Sequence, residues 1–381
     1  MDARQVVLVH DWLTGLRGGE KCLERFCQRW PDAPLMTVLH VPGSTSPLIE
    51  RRRIVPSFLQ NFPGISRYYR YLLPLLPLAA RWQTPPCNLV LSLSHCVAKA
   101  ARPPRGVPHI CYCFTPMRYA WHMRDAYFGG GRLGRLPSAL VEQLLAWLRR
   151  WDRDTAARVT HFIAISETVR SRIAECYGRD STVIYPPVDT AFYTPTFERR
   201  EDYYLVVSAF APYKRIDLAI AACRELKRKL VIIGSGQDAK RLAASADADI
   251  EFLGWQPDEV IRDHLRRCRA LLFPGEEDFG IVPVEAQSCG TPVIAFGRGG
   301  ATETVIAPVG RRDPTGLLFR EQTAACLAES MLWFERHAAE FDPRAARRQA
   351  LHFNPSRFDA QFDRFLAALD GPSETRLLRA A

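Results

Sequence analysis

Between Ala270 and Glu285 the chain reads Ala-Leu-Leu-Phe-Pro-Gly-Glu-Glu-Asp-Phe-Gly-Ile-Val-Pro-Val-Glu. An apolar run, a glycine turn and a helix start follow one another with no room for anything else. Ala270 to Phe273 reads as a buried strand, and Val284 to Ser288 as the helix behind the turn. A strand followed at once by a helix belongs in a parallel sheet with both faces covered. Backbone N–H groups then gather at the mouth of the sheet, where an anion is favoured. Two carboxylates flank that place, Glu277 in the loop and Glu285 in the first helical turn. A carboxylate pair beside a phosphate cradle suits a ligand anionic at one end and hydroxyl-rich at its sides. A nucleotide sugar is such a ligand.

The same alternation runs through the rest of the chain. Val6 to His10 is an apolar run followed by Gly15-Leu16-Arg17-Gly18-Gly19-Glu20-Lys21 and a helical pattern from Cys22 to Trp30. That loop lacks the glycine spacing of a dinucleotide fingerprint, which argues against a nicotinamide cofactor. Further strands are expected at Leu89–Leu93, His109–Cys113, His161–Ile165 and Ser181–Tyr185. Helices are expected at Pro137–Arg158, Glu167–Cys176 and over much of Arg67–Trp82. Tyr185-Pro186-Pro187-Val188-Asp189 leaves the last of these strands through rigid prolines. A second series has strands at Tyr204–Ser208, Leu230–Gly234, Ile250–Leu253, Ala270–Phe273 and Pro292–Phe296, separated by helical stretches. A chain of 381 residues is long for one domain and suits two. The expected division is residues 1–190, joined by a helix at about 355–370, and residues 191–354.

Composition narrows the class without choosing the ligand. No apolar run approaches the ~20 residues of a spanning helix. The N-terminus carries no signal-peptide pattern, so a cytoplasmic location is expected. The 11 cysteines are scattered and contain no Cys-x-x-Cys pair, which reads as free thiols. A formal charge of +10 fits an anionic ligand, an anionic membrane surface or nucleic acid. The chain has no recognisable nucleic-acid module, and no nucleic-acid partner is expected. Asp247-Ala248-Asp249 reads as a solvated helix end, and Asp152-Arg153-Asp154 as a surface salt-bridge pattern on a helix. No metal site is expected.

Taken with Gly290 to Ile294 (Gly-Thr-Pro-Val-Ile) and Gly299 to Glu303 (Gly-Gly-Ala-Thr-Glu), the paired glutamates around Phe279-Gly280 resemble the acidic motif of the retaining glycosyltransferase family 4. That resemblance is closest over Tyr203 to Phe319 and extends more loosely over Val6 to Asp189. It implies an α/β chain of the GT-B fold. Two Rossmann-like doubly wound domains face each other across a cleft, and the C-terminal helix crosses back to the N-terminal domain. It further implies that Glu285 accepts hydrogen bonds from ribose hydroxyls and that Glu277 contacts the transferred sugar. The backbone at Phe279, Gly280 and Ile281 would hold sugar and phosphate. Gly18 and Gly19 match a glycine pair that approaches the donor diphosphate, although a tight strand-helix turn explains such glycines equally. Gly234, with Ser235-Gly236-Gln237, is a further close backbone approach. Trp255 lies in a segment that resembles the one reading the base edge. Lys214 matches the lysine that neutralises the diphosphate.

Two positions depart from the family pattern. Where an arginine normally precedes the lysine, this chain has Ala209, a loss of roughly 1.5–3 kcal/mol if nothing replaces the charge-assisted bond. Arg215 and Arg298 are the expected substitutes. Where many relatives have a histidine near the sugar, this chain has Phe114. His122, a few positions on, is expected to substitute in part for that histidine, and Arg118, on the same loop, to contact acceptor or phosphate.

Val-His-Asp-Trp-Leu at the first strand, with the Met117-Arg118-Tyr119 loop, is similar to the O-antigen mannosyltransferases within that family. The implied reaction moves a hexose with retention, from GDP-mannose in preference to a UDP-sugar such as UDP-glucose, to a lipid-linked or oligosaccharide acceptor in surface polysaccharide synthesis. No cofactor beyond the nucleotide-sugar donor is required. A catalytically silent nucleotide-sugar-binding protein is the other class compatible with Ala209 and Phe114. Ser66 to Pro77 is basic, aromatic and apolar at once. It reads either as a core helix with an arginine-rich outer face or as a peripheral contact with an anionic leaflet at the cytoplasmic face of the inner membrane. The resemblance favours the membrane contact.

Overall fold

A computed structural model of the chain describes residues 4–69, 72–122, 138–196, 198–308 and 313–370. The chain forms two compact units, Met1–Val183 and Ile184–Ala381. The tail beyond Gly371 lies outside the described residues.

In the first unit the strands are β1 (Val6–His10), β2 (Leu35–Thr37), β3 (Ile54–Pro56), β4 (Leu89–Ser94), β5 (His109–Cys113), β6 (His161–Ala164) and β7 (Ser181–Val183). They form one sheet in the order β3-β2-β1-β4-β5-β6-β7. Every pairing is parallel, with Val6 opposite Leu89 and His10 opposite Leu93 in the central pair. All residues of β1, β4 and β5 are buried. This is why those strands read as unbroken apolar runs: helices cover both faces of the sheet. Helix α1 (Gly18–Arg29) starts four residues earlier than the expected Cys22. Glu20, its third residue, accepts the N–H of Arg17 at 3.0 Å and closes the first turn. Gly18 and Gly19 are therefore the opening residues of a helix, not part of a loop.

Two other expectations fail in this unit. Arg67–Trp82 does not form a helix but breaks into single turns at Ile65–Tyr68, Leu73–Leu75 and Leu76–Ala79. Pro74 and Pro77 each remove a helical N–H donor and crowd the preceding turn. Arg70, Tyr71 and the Arg67 side chain lie outside the described residues. Asp152, on α2 (Ser138–Ala156), is fully buried and not at the surface. Its carboxylate pairs with Lys99, itself buried, and accepts hydrogen bonds from Trp121 Nε1 at 2.9 Å and the Tyr177 hydroxyl at 2.8 Å. A carboxylate inside a core is tolerable only with such a set of donors. Tyr177 ends α3 (Glu167–Tyr177), so this one carboxylate ties α2 to α3 and to the turn containing Trp121.

The second unit has β8 (Tyr204–Val207), β9 (Leu230–Ile233), β10 (Ile250–Gly254), β11 (Leu271–Phe273), β12 (Val293–Phe296) and β13 (Gly316–Phe319). Their order is β10-β9-β8-β11-β12-β13, again wholly parallel. Two apolar clusters cover its faces. One contains α4 (Ile216–Leu226) and α7 (Ala324–Arg336); the other contains residues of α5 (Asp258–Arg267) and α6 (Ile281–Ser288). Tyr185 packs within this unit against Phe279, tilted, and against Phe353, edge to face, at ring-centroid distances of 5.8 and 5.3 Å. The final helix, α8 (Pro355–Asp370), buries Phe358, Phe362 and Leu366.

His109, at the start of β5, is fully buried with Nε2 2.8 Å from Ser92 Oγ. Burial pushes its pKa down from 6.5 to about 4. The unfolded chain takes up this proton near pH 6.5 and the folded chain only near pH 4. The contribution of His109 is thus complete above pH 6.5 and is lost as pH falls towards 4, by about 3 kcal/mol in all. Urea unfolding of His109→Gln against the natural chain, repeated from pH 7 to pH 4, is expected to show a gap that narrows on acidification.

Candidate functional site

In a parallel sheet all strands deliver their following loops to one edge. In the second unit the strand order reverses between β8 and β11, and at such a reversal the two loops diverge and leave a crevice. The loop after β8 runs from Ser208 to Arg215, and the loop after β11 from Pro274 to Gly280. Lys214, from the first, forms an ion pair with Glu277, from the second; their side chains are 13% and 18% exposed. The chain between them lies backbone to backbone, since a side-chain carbon on Gly275 would come within 2.9 Å of Lys214 Cα.

Neighbouring loops are fastened in the same way. The N–H of Gly300, after β12, donates to Glu277 O at 2.8 Å, and a Cβ on Gly300 would stand 2.3 Å from Phe279 Cα. A Cβ on Gly234, after β9, would stand 1.8 Å from Ser208 O. Gly280 takes a left-handed conformation, φ 83°, which turns the chain into α6 at Ile281. Phe279 buries its ring against Tyr185 and Phe353, which pins the loop from below.

The early start of α6 corrects one expectation. Glu285 is its fifth residue and lies in the second turn, beyond the favoured first-turn position for a carboxylate. It is 5% exposed. An attraction to the helix terminus does not account for a carboxylate at that depth, and burying one is costly unless its oxygens are satisfied.

Arg215 and Arg298 fare differently as sources of positive charge beside Ala209. The Arg215 guanidinium is taken up by Asp217, at 3.2 and 3.3 Å. Arg298 is exposed on the loop after β12, its guanidinium 5.9 Å from the Phe296 ring centre. Trp255, after β10, is 72% exposed, and the preceding residue, Gly254, accepts the Gly234 N–H at 2.8 Å. Lys214, Arg215, Gly234, Trp255, Glu277, Gly280, Ile281 and Arg298 thus belong to the loops of one sheet edge.

The remaining expected site residues belong to the first unit. Gly19 packs on the Phe114 ring and on His10, at 3.4 and 3.6 Å from a Cβ placed there. Phe114 is buried. Arg118 opens the short helix Arg118–Trp121 and is half-buried. His122 is exposed, with Nε2 3.3 Å from Cys176 Sγ on α3. That neighbour is a structural one. Sequence reasoning passed over Asp11, Glu20 and His95, which gather at the reversal between β1 and β4. His10 and Asp11 stand together at the end of a fully buried strand, but nothing in the sequence pairs Asp11 with His95. Among the described residues no group of three or more His, Cys, Asp or Glu side chains could hold a metal ion.

Residues 16–192 match the model of "Glycosyltransferase Family 4", and residues 191–349 that of "Glycosyl transferases group 1". The chain belongs to the glycosyltransferases of this two-domain type. An uncharacterised glycosyltransferase of Methanocaldococcus jannaschii is 30% identical over 149 residues, 38% of this chain and 42% of that protein. The alpha-1,3/1,6-mannosyltransferase ALG2 of Kluyveromyces lactis is 25% identical over 289 residues, 61% and 56% of the two chains. The chain spans about half the length of the curated relatives it matches. Among solved structures, Anabaena HepE in complex with UDP superposes with a TM-score of 0.68 at 17% identity, covering 96% of this chain and 100% of that one. The likeness establishes the fold, which is GT-B.

For this glycosyltransferase the loop contacts give a direct test. Gly300→Ala must push apart the loops after β11 and β12, because the new methyl group would meet backbone and not a flexible side chain. Urea unfolding is expected to show Gly300→Ala less stable than the natural chain by about 1–3 kcal/mol. Far-ultraviolet circular dichroism is expected to stay unchanged.

Proposed function

We propose that the chain is a retaining hexosyltransferase whose second unit binds a nucleotide sugar and whose first unit binds the acceptor. The observation that carries this reading is the Lys214–Glu277 pair at the strand-order reversal, with Glu285 buried on the helix behind it. A diphosphate arriving at the start of α6 meets the Lys214 ammonium, the Gly280 and Ile281 N–H groups and the positive end of the helix. Glu277 then exchanges part of its contact with Lys214 for hydroxyls of the sugar. Glu285 receives the ribose hydroxyls. Arg298 supplies the second positive charge that Ala209 does not, since Arg215 is already engaged by Asp217. Trp255 offers an exposed ring to the base. Charge builds on the leaving diphosphate as the glycosidic bond breaks, and fixed cations and N–H groups stabilise it without reorganisation. Retention and the phosphate-assisted path follow from the family resemblance.

GDP-mannose is the donor we favour. A GDP-mannose-dependent alpha-(1-6)-phosphatidylinositol monomannoside mannosyltransferase of Mycolicibacterium smegmatis is 31% identical over 190 residues, 42% of this chain and 49% of that one. A UDP-sugar is the alternative, favoured by the fold neighbour described in complex with UDP and glucose. A thermal-shift series with GDP-mannose, UDP-glucose and UDP-galactose separates them, because the ligand that binds raises the melting temperature by mass action. Glu285→Gln is expected to lower the affinity of that ligand by about ten- to a hundredfold. Sugar release or transfer from the bound donor supports an enzyme; tight binding with no turnover indicates a silent nucleotide-sugar-binding protein.

The acceptor we propose is a lipid-linked glycan in surface polysaccharide synthesis, reached from the cytoplasmic face of a membrane. No helix among the described residues is long and apolar enough to cross one. The first unit exposes Phe58, Phe62, Leu75 and Leu78 along its proline-broken segment, and Leu140 and Trp147 on α2. Arg51, Arg53, Arg81 and Arg150 are exposed in the same stretches. Apolar side chains at the interface with arginines on headgroups suit an anionic leaflet, at about 1 kcal/mol per arginine. Co-sedimentation with phosphatidylglycerol vesicles, but not with phosphatidylcholine vesicles, is expected. Phe62→Ser combined with Leu78→Ser is expected to abolish it.

A further inference from the structure

The reversal between β1 and β4 in the first unit holds a polar group that donor binding does not use. Asp11 is fully buried, and its two oxygens accept the backbone N–H groups of His95, Cys96, Val97 and Ala98 at 2.6–3.0 Å. The same carboxylate lies 2.9 Å from Nδ1 of His95. Burial alone would raise the Asp11 pKa. Its pairing with His95, with His10 nearby, outweighs this and holds Asp11 well below the usual carboxylate range. An ionised Asp11 has no proton to give, so Nδ1 must donate. In the neutral ring the tautomer is thereby fixed, with Nε2 left as an acceptor at the opposite end.

His95 is not sealed in with its partner. Its side chain is 30% exposed, whereas that of Asp11 is 0% exposed. Trp12 meets the ring edge-on at 4.6 Å and fixes its plane. His95 and Phe114 are both neighbours of His10, each at 6.4 Å between ring centres. Beside the position where Phe114 offers only an apolar edge, His95 therefore supplies an oriented polar atom at the edge of the sheet. His122, the substitute expected from the sequence, stands instead against Cys176.

We propose that His95, oriented by Asp11, binds a hydroxyl of the carbohydrate acceptor, with Nε2 accepting the hydrogen bond. The contact rests on the glycosyltransferase reading and deepens it by assigning an acceptor subsite to the first unit. It is a binding contact to a hydroxyl that does not react, and it adds no proton-transfer step. Asp11 acts through His95 and is a positioning residue.

The test separates this contact from the donor site. Saturation-transfer NMR with the methyl α-glycosides of mannose, glucose and galactose is run on the natural chain, His95→Ala and His95→Gln. GDP and UDP binding is measured in parallel. The expected result is binding of at least one glycoside, about three- to tenfold weaker in His95→Ala. Recovery in His95→Gln, whose amide can reach the place of Nε2, is expected, with nucleotide binding equal in all three chains. In the natural chain the ring ¹⁵N shifts are expected to show the proton on Nδ1. Equal glycoside binding by His95→Ala, binding of none of the three, or a proton on Nε2 overturns the proposal. Failure of every nucleotide and nucleotide sugar to bind overturns the glycosyltransferase reading instead.

Discussion

Parallel pairing governs everything else in this molecule. Antiparallel strands would scatter their loops over two edges, whereas here each sheet sends all of its following loops to one. In both units the first three strands run outward in turn to one edge, and the chain then jumps back to the free side of the first strand, which opens the order between β1 and β4 and between β8 and β11. Each opening receives a helix start and loop backbone. The chemistry of the two openings then diverges through a few side chains. The second unit places a lysine and a glutamate there; the first places an aspartate and a histidine.

These openings are held in different ways. In the second unit the loops touch through backbone, at Gly275 against Lys214, Gly300 against Phe279 and Gly234 against Ser208. In the first, a single carboxylate gathers four consecutive N–H groups of the β4 loop and so shapes it from beneath. Hydrogen bonds to an ionised acceptor are among the stronger ones in proteins, and their loss would leave several buried donors without an acceptor. The Asp152 network plays a similar part further along the unit, where it joins two helices and the turn that carries Arg118.

Much of the architecture was legible in the sequence because strands buried on both faces appear as short apolar runs between helical patterns. β1, β5 and β8 to β12 could be placed within a residue or two. β2, β3 and β13 were not placed, since three or four residues carry no distinctive period. Helix starts were read too late at Gly18 and Ile281. A glycine or a proline near the first turn looks like loop until its tertiary contacts are known. Glu277 and Glu285 were singled out by residue type and spacing and Lys214 by the family resemblance, and the structure pairs Lys214 with Glu277. Asp11 and His95 were not, because they lie 84 positions apart and only the β1–β4 pairing brings them together. Asp152 looked like a surface charge because its donors come from three distant segments.

The glycine contacts in the second unit carry a consequence for divergence. Where main chain rests directly on main chain, the frame of the pocket does not depend on which side chains decorate it. Ala209, Trp255 and Arg298 extend from such supported loops, and exchanging them leaves the scaffold beneath intact. Single replacements at these positions can therefore accumulate without cost to the frame, whereas a β-carbon at Gly300 or Gly234 would force the supporting loops apart.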